Sequence, residues 1–206
     1  MPKAPPSREI RRSLIRAMAG AACVAGAGCA PQAGMFFVRP PGVPFEPTPM
    51  DVVAAMLRLA EIKSYDKVFD LGCGDGRIVM GAVRWYGASA VCVDVDRYLI
   101  YQGRENARIT HLYDKIVFLN QDMFETDLGD ATVVMLALSR EMNLALRPKL
   151  ERELRPGSRI VSYRYDMGDW VPREIVQVTS GGQERPIYLW AIQGRNESIV
   201  ARATTE

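Results

Sequence analysis

The sequence predicts an α/β fold: a mostly parallel sheet with helices on both faces. Three observations carry this. Strand-like and helix-like segments alternate regularly over residues 48–154. An apolar strand, Val68-Phe69-Asp70-Leu71, runs straight into a glycine-rich turn and then a helical segment. Acidic residues recur where successive strands end, at Asp70, Asp94 and Asp122. Ligands of open α/β sheets bind beyond the carboxyl ends of the strands, so acids there point to a binding site.

Residues 1–34 stand apart. Lys3, Arg8, Arg11, Arg12 and Arg16 face a single acid, Glu9, and an Ala/Gly-rich apolar run follows over 17–30. That is the layout of an export signal. Arg11-Arg12-Ser13-Leu14-Ile15-Arg16 resembles a twin-arginine signal. The apolar run is short for a membrane span. A signal or anchor is therefore expected at 1–34, with membrane association through residues 10–30. Export, tethering, organelle import and a cytoplasmic location stay open. Residues 35–47 hold Pro40, Pro41, Pro44 and Pro47 and read as a linker. The folded domain is expected over 48–196, with a tail at 197–206.

Within the domain, Thr48 is placed to cap a helix, with Pro49 in its first turn and Asp51 three residues on. Val52, Val53, Met56, Leu59 and Ala60 then share one helical face. Lys67–Leu71 reads as a strand, 76–86 as a helix and 88–95 as a strand. Arg97–Ile109 reads as a helix capped by Asp96. Residues 115–119 and 131–138 read as strands, and 141–154 as a helix that Pro148 kinks or delays. Residues 159–165 form a further strand. Residues 175–178 and 186–192 read as a terminal hairpin joined through Gly181-Gly182.

Composition narrows the function. The 206 residues carry a net charge of +2, with much of the basic excess at the N-terminus, so no nucleic-acid surface is expected. Cys23, Cys29, Cys73 and Cys92 show neither a CxxC pair nor zinc spacing, so neither a disulfide framework nor a metal site is expected. His111 is the one histidine and supports neither a triad nor a metal. It reads as a surface or capping residue.

The glycine-rich turn, Gly72-Cys73-Gly74-Asp75-Gly76, decides the ligand class. Its spacing is one residue short of the dinucleotide pattern Gly-x-Gly-x-x-Gly. Asp70 and Asp75 would repel a pyrophosphate. They suit S-adenosylmethionine, whose sulfonium and ammonium outweigh its one carboxylate. Asp94 is placed to accept the ribose hydroxyls. Asp122 is placed to accept the adenine amine, with Met123 covering the ring. The candidate cofactor contacts are Asp70, Gly72, Cys73, Gly74, Asp94, Asp122 and Met123. Thr48 and the 138–140 turn, with Ser139 at its centre, are candidates for the acceptor channel. No catalytic base is assigned. Arg77 is expected to pair with an acid, and Trp170 and Trp190 to lie in the core.

With these residues in place, the run from Asp70 to Arg77 resembles motif I of the class I S-adenosylmethionine-dependent methyltransferases. More narrowly, the chain resembles bacterial relatives of the mitochondrial lysine methyltransferases of the ATP synthase c-ring protein and the adenine nucleotide translocator. Pro44-Phe45-Glu46-Pro47-Thr48-Pro49, Asp122–Leu128 (122–128), Leu146-Arg147-Pro148-Lys149-Leu150, Asp169-Trp170-Val171-Pro172 and Tyr188-Leu189-Trp190 carry that resemblance. It implies a Rossmann-like fold with a seven-stranded sheet and a C-terminal antiparallel hairpin. It also implies cofactor contacts at Asp70, Gly72, Gly74, Asp94 and Asp122, and methyl transfer to a protein lysine. The protein substrate is expected to be a small apolar membrane protein. Small-molecule methylation and a non-catalytic cofactor-binding module are the alternatives. Two positions depart from the family: Phe45 stands where a tyrosine is usual, and Ser139 where a proline is.

Overall fold

The computed structural model describes residues 45–194, so the segments expected at 1–34 and 197–206, and all but the last residues of the linker, lie outside the described residues. The elements run α1 (Met50–Leu59), β1 (Lys67–Leu71), α2 (Arg77–Tyr86), β2 (Ser89–Asp94) and α3 (Arg97–Ile109). A 3-10 turn at Tyr113–Lys115 leads to β3 (Ile116–Asn120) and β4 (Val133–Leu136). Then come α4 (Arg140–Glu153), β5 (Arg159–Tyr163), β6 (Glu174–Ser180) and β7 (Gln183–Ala191).

The strands form one seven-stranded sheet in the order β3-β2-β1-β4-β5-β7-β6. The first five are parallel, and β7 is antiparallel to both β5 and β6. Strand order reverses between β1 and β4, which puts the expected ligand crevice at the end of β1. Strand side chains alternate between two cores. Val68, Cys92 and Val161 pack with Val52 and Met56 of α1, Val79 of α2 and Ile100 of α3. Phe69, Leu71, Val134 and Ile160 pack with Leu146 and Leu150 of α4 and with Trp190. Helices thus cover both faces, as the alternation predicts. β6 and β7 meet through Gly181 and Gly182, at φ 56° and 75°, the left-handed pair that a two-residue hairpin turn requires.

Several local expectations change. Thr48 does not cap α1: Pro49 holds the cap position with no side-chain bond, and Thr48 is buried with its carbonyl held by Arg77. β4 is shorter than 131–138, because Ala131 closes a turn onto the Leu128 carbonyl and Leu138 leaves the sheet. α4 begins at Arg140, so Pro148 lies inside it rather than at its start.

The largest correction concerns the cysteines. Cys73 and Cys92 form a disulfide, with their Cα atoms 5.3 Å apart. The glycine turn doubles back so that the Gly72 and Cys73 amides both donate to the Val93 carbonyl, at 2.8 and 3.0 Å. That brings Cys73 beside the β2 residue that pairs with Asp70. Sequence spacing carries no record of such a reversal. His111 is exposed, at φ 57° just after α3, as a helix-terminating residue.

Candidate active site

The site is built on a loop that only glycines can follow. Gly72, Gly74 and Gly76 have φ of 78°, 56° and 80°, separated by the non-glycine residues Cys73 and Asp75. Contact adds a second demand. A Cβ on Gly72 would come within 2.6 Å of Leu138 Cδ2 and 3.7 Å of Met123 Cε. A Cβ on Gly74 would collide with the Phe45 ring. Three apolar side chains from three separate segments therefore wall the loop.

Acids frame it from below and beside. Asp94, at the end of β2, accepts the Gly74 amide through Oδ2 at 2.9 Å and the Asp96 amide through Oδ1 at 2.8 Å. Asn120 at the end of β3 donates to the Asp94 and Val95 carbonyls at 3.0 and 2.9 Å, tying the two strand ends together. Asp122 follows, exposed, accepting the Phe124 amide at 2.9 Å, with Met123 buried beside it.

Asp70 is the unusual member. It is 1% exposed, and neither carboxylate oxygen has a hydrogen-bond partner among the described residues. Burial pushes its pKa well above the ordinary carboxylate value, and the charges of Asp94 and Asp75 push it further. Buried polar groups are nearly always satisfied, so an orphaned carboxyl under a ligand loop marks a place for a cationic or proton-donating ligand.

Asp75 behaves differently from the sequence expectation. Arg77 closes on it with Nε at 2.9 Å and Nη2 at 2.6 Å, so its charge is already paired. Arg77 thus pairs with an acid as expected, and it also reaches the Thr48 carbonyl at 2.9 Å. Cys73 keeps its place in the loop, but its side chain is committed to Cys92 and its amide to the Val93 carbonyl.

Of the two acceptor-channel candidates, Ser139 is exposed and Thr48 is buried. Ser139 is exposed and caps α4, its oxygen accepting the Met142 amide at 3.4 Å. It follows Leu138, which covers Gly72. Thr48 sits in the segment that carries Phe45 across Gly74. Trp190 is buried, as expected of a core residue, and its indole donates to the Trp170 carbonyl at 2.8 Å; Trp170 is half-buried and packs against the same core. Among the described residues no cluster could hold a metal ion.

The family model of the ANTKMT methyltransferase domain matches residues 70–174, beginning on Asp70 itself. The chain belongs to this family. A protein-lysine N-methyltransferase of Saccharolobus islandicus is 37% identical to this ANTKMT-domain chain over 153 residues, covering 74% of this chain and 95% of that protein. The adenine nucleotide translocase lysine N-methyltransferase of Mus musculus is 28% identical over 133 residues, covering 65% of this chain and 56% of that protein. The chain thus spans little more than half of that longer relative. Among solved structures, an RNA methyltransferase from Salinibacter ruber in complex with S-adenosyl-L-homocysteine is 40% identical, with a TM-score of 0.70. It is covered over 95% of its length and matches 73% of this chain.

This ANTKMT-domain protein is an S-adenosylmethionine-dependent methyltransferase, and its own residues fit that cofactor. The orphaned Asp70 suits the positive charge of the ligand. The loop backbone, Asp94, Asp122 and Met123 stand at the ends of β1, β2 and β3, where the sequence placed them. Sequence reasoning missed Arg164 and Glu46, which tie the Phe45 segment to the end of β5. No local pattern announces a pair that distant.

Proposed function

We propose that this enzyme methylates the side-chain amine of a lysine in a protein, of the class of small apolar membrane proteins. One observation carries the reading: 37% identity extends over nearly the whole of an archaeal protein named a protein-lysine N-methyltransferase. The mouse relative, named for the adenine nucleotide translocase, supports the apolar membrane class.

The geometry supports methyl transfer by positioning. The bound cofactor supplies a methyl group already activated on a sulfonium, so no dedicated nucleophile is needed. Asp70, Asp94 and Asp122 would hold and orient the donor. Leu138, Met123 and Phe45 exclude water from the loop. The incoming lysine must lose its proton first, and water or a carbonyl at the rim suffices for that. Residues 1–34 would bring the domain to a membrane, on the side that holds the donor.

The Salinibacter ruber protein is named for RNA, so RNA is the second reading. Both are tested by incubating the full chain with isotopically labelled donor and, separately, a membrane-protein extract, total RNA and a small-molecule fraction. Label on a lysine of a small apolar membrane protein is the expected result. Label confined to RNA or to small molecules overturns the lysine reading. Saturable donor binding with no transfer to any fraction leaves a non-catalytic module. Membrane fractionation, with and without residues 1–34, tests the tether.

A further inference from the structure

We propose that residues 45–48 form a strap closed over the cofactor loop, and that Arg164 is the positioning residue that latches it. The proposal rests on assigning the glycine loop to the cofactor, and not on the identity of the methyl acceptor.

The strap crosses the loop at its middle. The Phe45 ring occupies the space that any side chain at Gly74 would need. Two arginines from different elements hold the strap down. Arg77, at the start of α2, bonds the Thr48 carbonyl at 2.9 Å. Arg164, just after β5, grips Glu46 with both terminal nitrogens, at 2.9 and 3.0 Å. Paired parallel bonds of this kind fix direction as well as distance.

Arg164 is held in a backbone conformation that a non-glycine residue rarely adopts, φ 73°. The surrounding structure enforces it. Asn143 and Ser162 are fully buried; Asn143 Nδ2 donates to Ser162 Oγ at 2.8 Å and to the Tyr165 carbonyl at 3.1 Å. Ser162 Oγ donates to the same carbonyl at 2.8 Å, and the Arg164 amide donates to the Pro186 carbonyl at 2.9 Å. A buried polar network that keeps one residue left-handed is a costly feature, and here its product is the aim of one guanidinium at Glu46.

The two ties differ in kind. The Arg77 tie runs to a backbone carbonyl, and that guanidinium is also paired with Asp75. The Arg164 tie ends on a carboxylate that is 72% exposed. The Thr48 end is therefore the anchored end and the Glu46 end the releasable one. Release of Glu46 lets Phe45 lift from Gly74, which opens the loop for ligand exchange. The latch then sets how long the ligand stays.

The test uses the full chain and S-adenosylhomocysteine, with dissociation followed by stopped flow and affinity by calorimetry. Glu46→Gln, at an exposed position, should speed dissociation about three-fold, the scale of one well-formed surface pair, with the melting temperature unchanged. Phe45→Ala should speed it further. The double variant Glu46→Arg with Arg164→Glu should return the rate toward wild type, and Glu46→Arg alone should not. Raising salt should speed dissociation from wild type and leave Glu46→Gln unaffected. Unchanged rates in Glu46→Gln and Phe45→Ala, or no recovery in the charge swap, overturn the latch alone. A wild-type chain that does not bind S-adenosylhomocysteine overturns the cofactor assignment and the latch with it.

Discussion

Replacing Asp70 by asparagine should stabilise the unliganded protein and weaken its hold on the cofactor. Asp70 is buried with both oxygens unpartnered, so in the absence of ligand it carries a desolvation cost and returns no interaction. An unsatisfied buried polar group costs about 1–3 kcal/mol, and more when charged. Asparagine keeps the shape and needs no proton taken up on folding, so a gain of about 2 kcal/mol is expected. For a domain of this size that raises the melting temperature by roughly 4–8 °C. The effect depends on pH in a defined direction. Burial, then Asp94 and Asp75, raise the pKa of Asp70 in the fold above its ordinary value of 3.8. Above that pH the unfolded chain has released the proton and the folded one has not, so stability falls as pH rises and levels off only above the folded pKa. The variant should lack this slope. Bonds to a charged group contribute about 1.5–3 kcal/mol, so affinity for S-adenosylhomocysteine should fall roughly ten- to a hundred-fold. Thermal melts from pH 4 to 9, with calorimetry on the same samples, measure both. A variant that melts below wild type, or one that binds the ligand as tightly, refutes the reasoning.

Other substitutions read other parts of the structure. Asp94→Ala removes the acceptor for the Gly74 and Asp96 amides as well as the expected ribose contact, and calorimetry should show affinity for S-adenosylhomocysteine reduced at least about ten-fold. Reducing the Cys73–Cys92 bridge opens a loop with a sequence separation of 19. A crosslink of that span contributes about 3 kcal/mol, so reductant should lower the melting temperature by roughly 6–12 °C, with peptide mapping confirming the bond first. At the opposite ends of the strands, just before β1, Asp66 is 1% exposed and accepts Arg159 Nη2 at 2.5 Å, Thr132 Oγ1 at 2.7 Å and the Lys63 amide at 2.7 Å. Burial works to raise its pKa, but the bonds from Thr132, Lys63 and Arg159 outweigh it and the pKa is lowered. Its stabilisation is therefore present above pH 3.8 and lost as pH falls below that. Arg159→Ala should cost about 3–5 kcal/mol, read by denaturant unfolding. Finally, lysine amines titrate near 10.4, so the rate on a lysine acceptor should rise about ten-fold per pH unit from 7 to 9. A flat profile would count against a lysine acceptor.

Local chemistry was legible where the signal was local. α3 runs over Arg97–Ile109 as read, because Asp96 caps it through the Tyr98 amide. Asp94 and Asp122 fall at strand ends because hydrophobic runs stop there. What stayed hidden depends on how the chain folds back. Asp75 looks like a ligand carboxylate in sequence, yet Arg77 two residues on takes both its oxygens. Cys73 and Cys92 meet only because the loop reverses onto Val93. Glu46 and Arg164 lie 118 residues apart, and pairing at that range leaves no trace in periodicity. Thr48 has the residue type and place of a cap, but burial and the Arg77 bond override that preference.

The loop disfavours a pyrophosphate for a reason other than carboxylate repulsion. The sequence offers two carboxylates to repel it, and the Arg77 pair neutralises one of them. A phosphate-binding loop offers its backbone amides to the ligand. Here the Gly72 and Cys73 amides are spent on the Val93 carbonyl, Gly74 on Asp94, and Gly76 on the Cys73 carbonyl. The Arg77 amide bonds Asp75 at 3.3 Å. The glycines therefore do not present amides to an anion. They let the loop turn back onto β2 and let Phe45 and Leu138 close against it. With the amides of Gly72, Cys73, Gly74 and Gly76 internally satisfied and one buried carboxyl group unsatisfied, the loop suits a ligand that brings positive charge. Titration with a nucleoside diphosphate should accordingly give no heat under conditions where S-adenosylhomocysteine does.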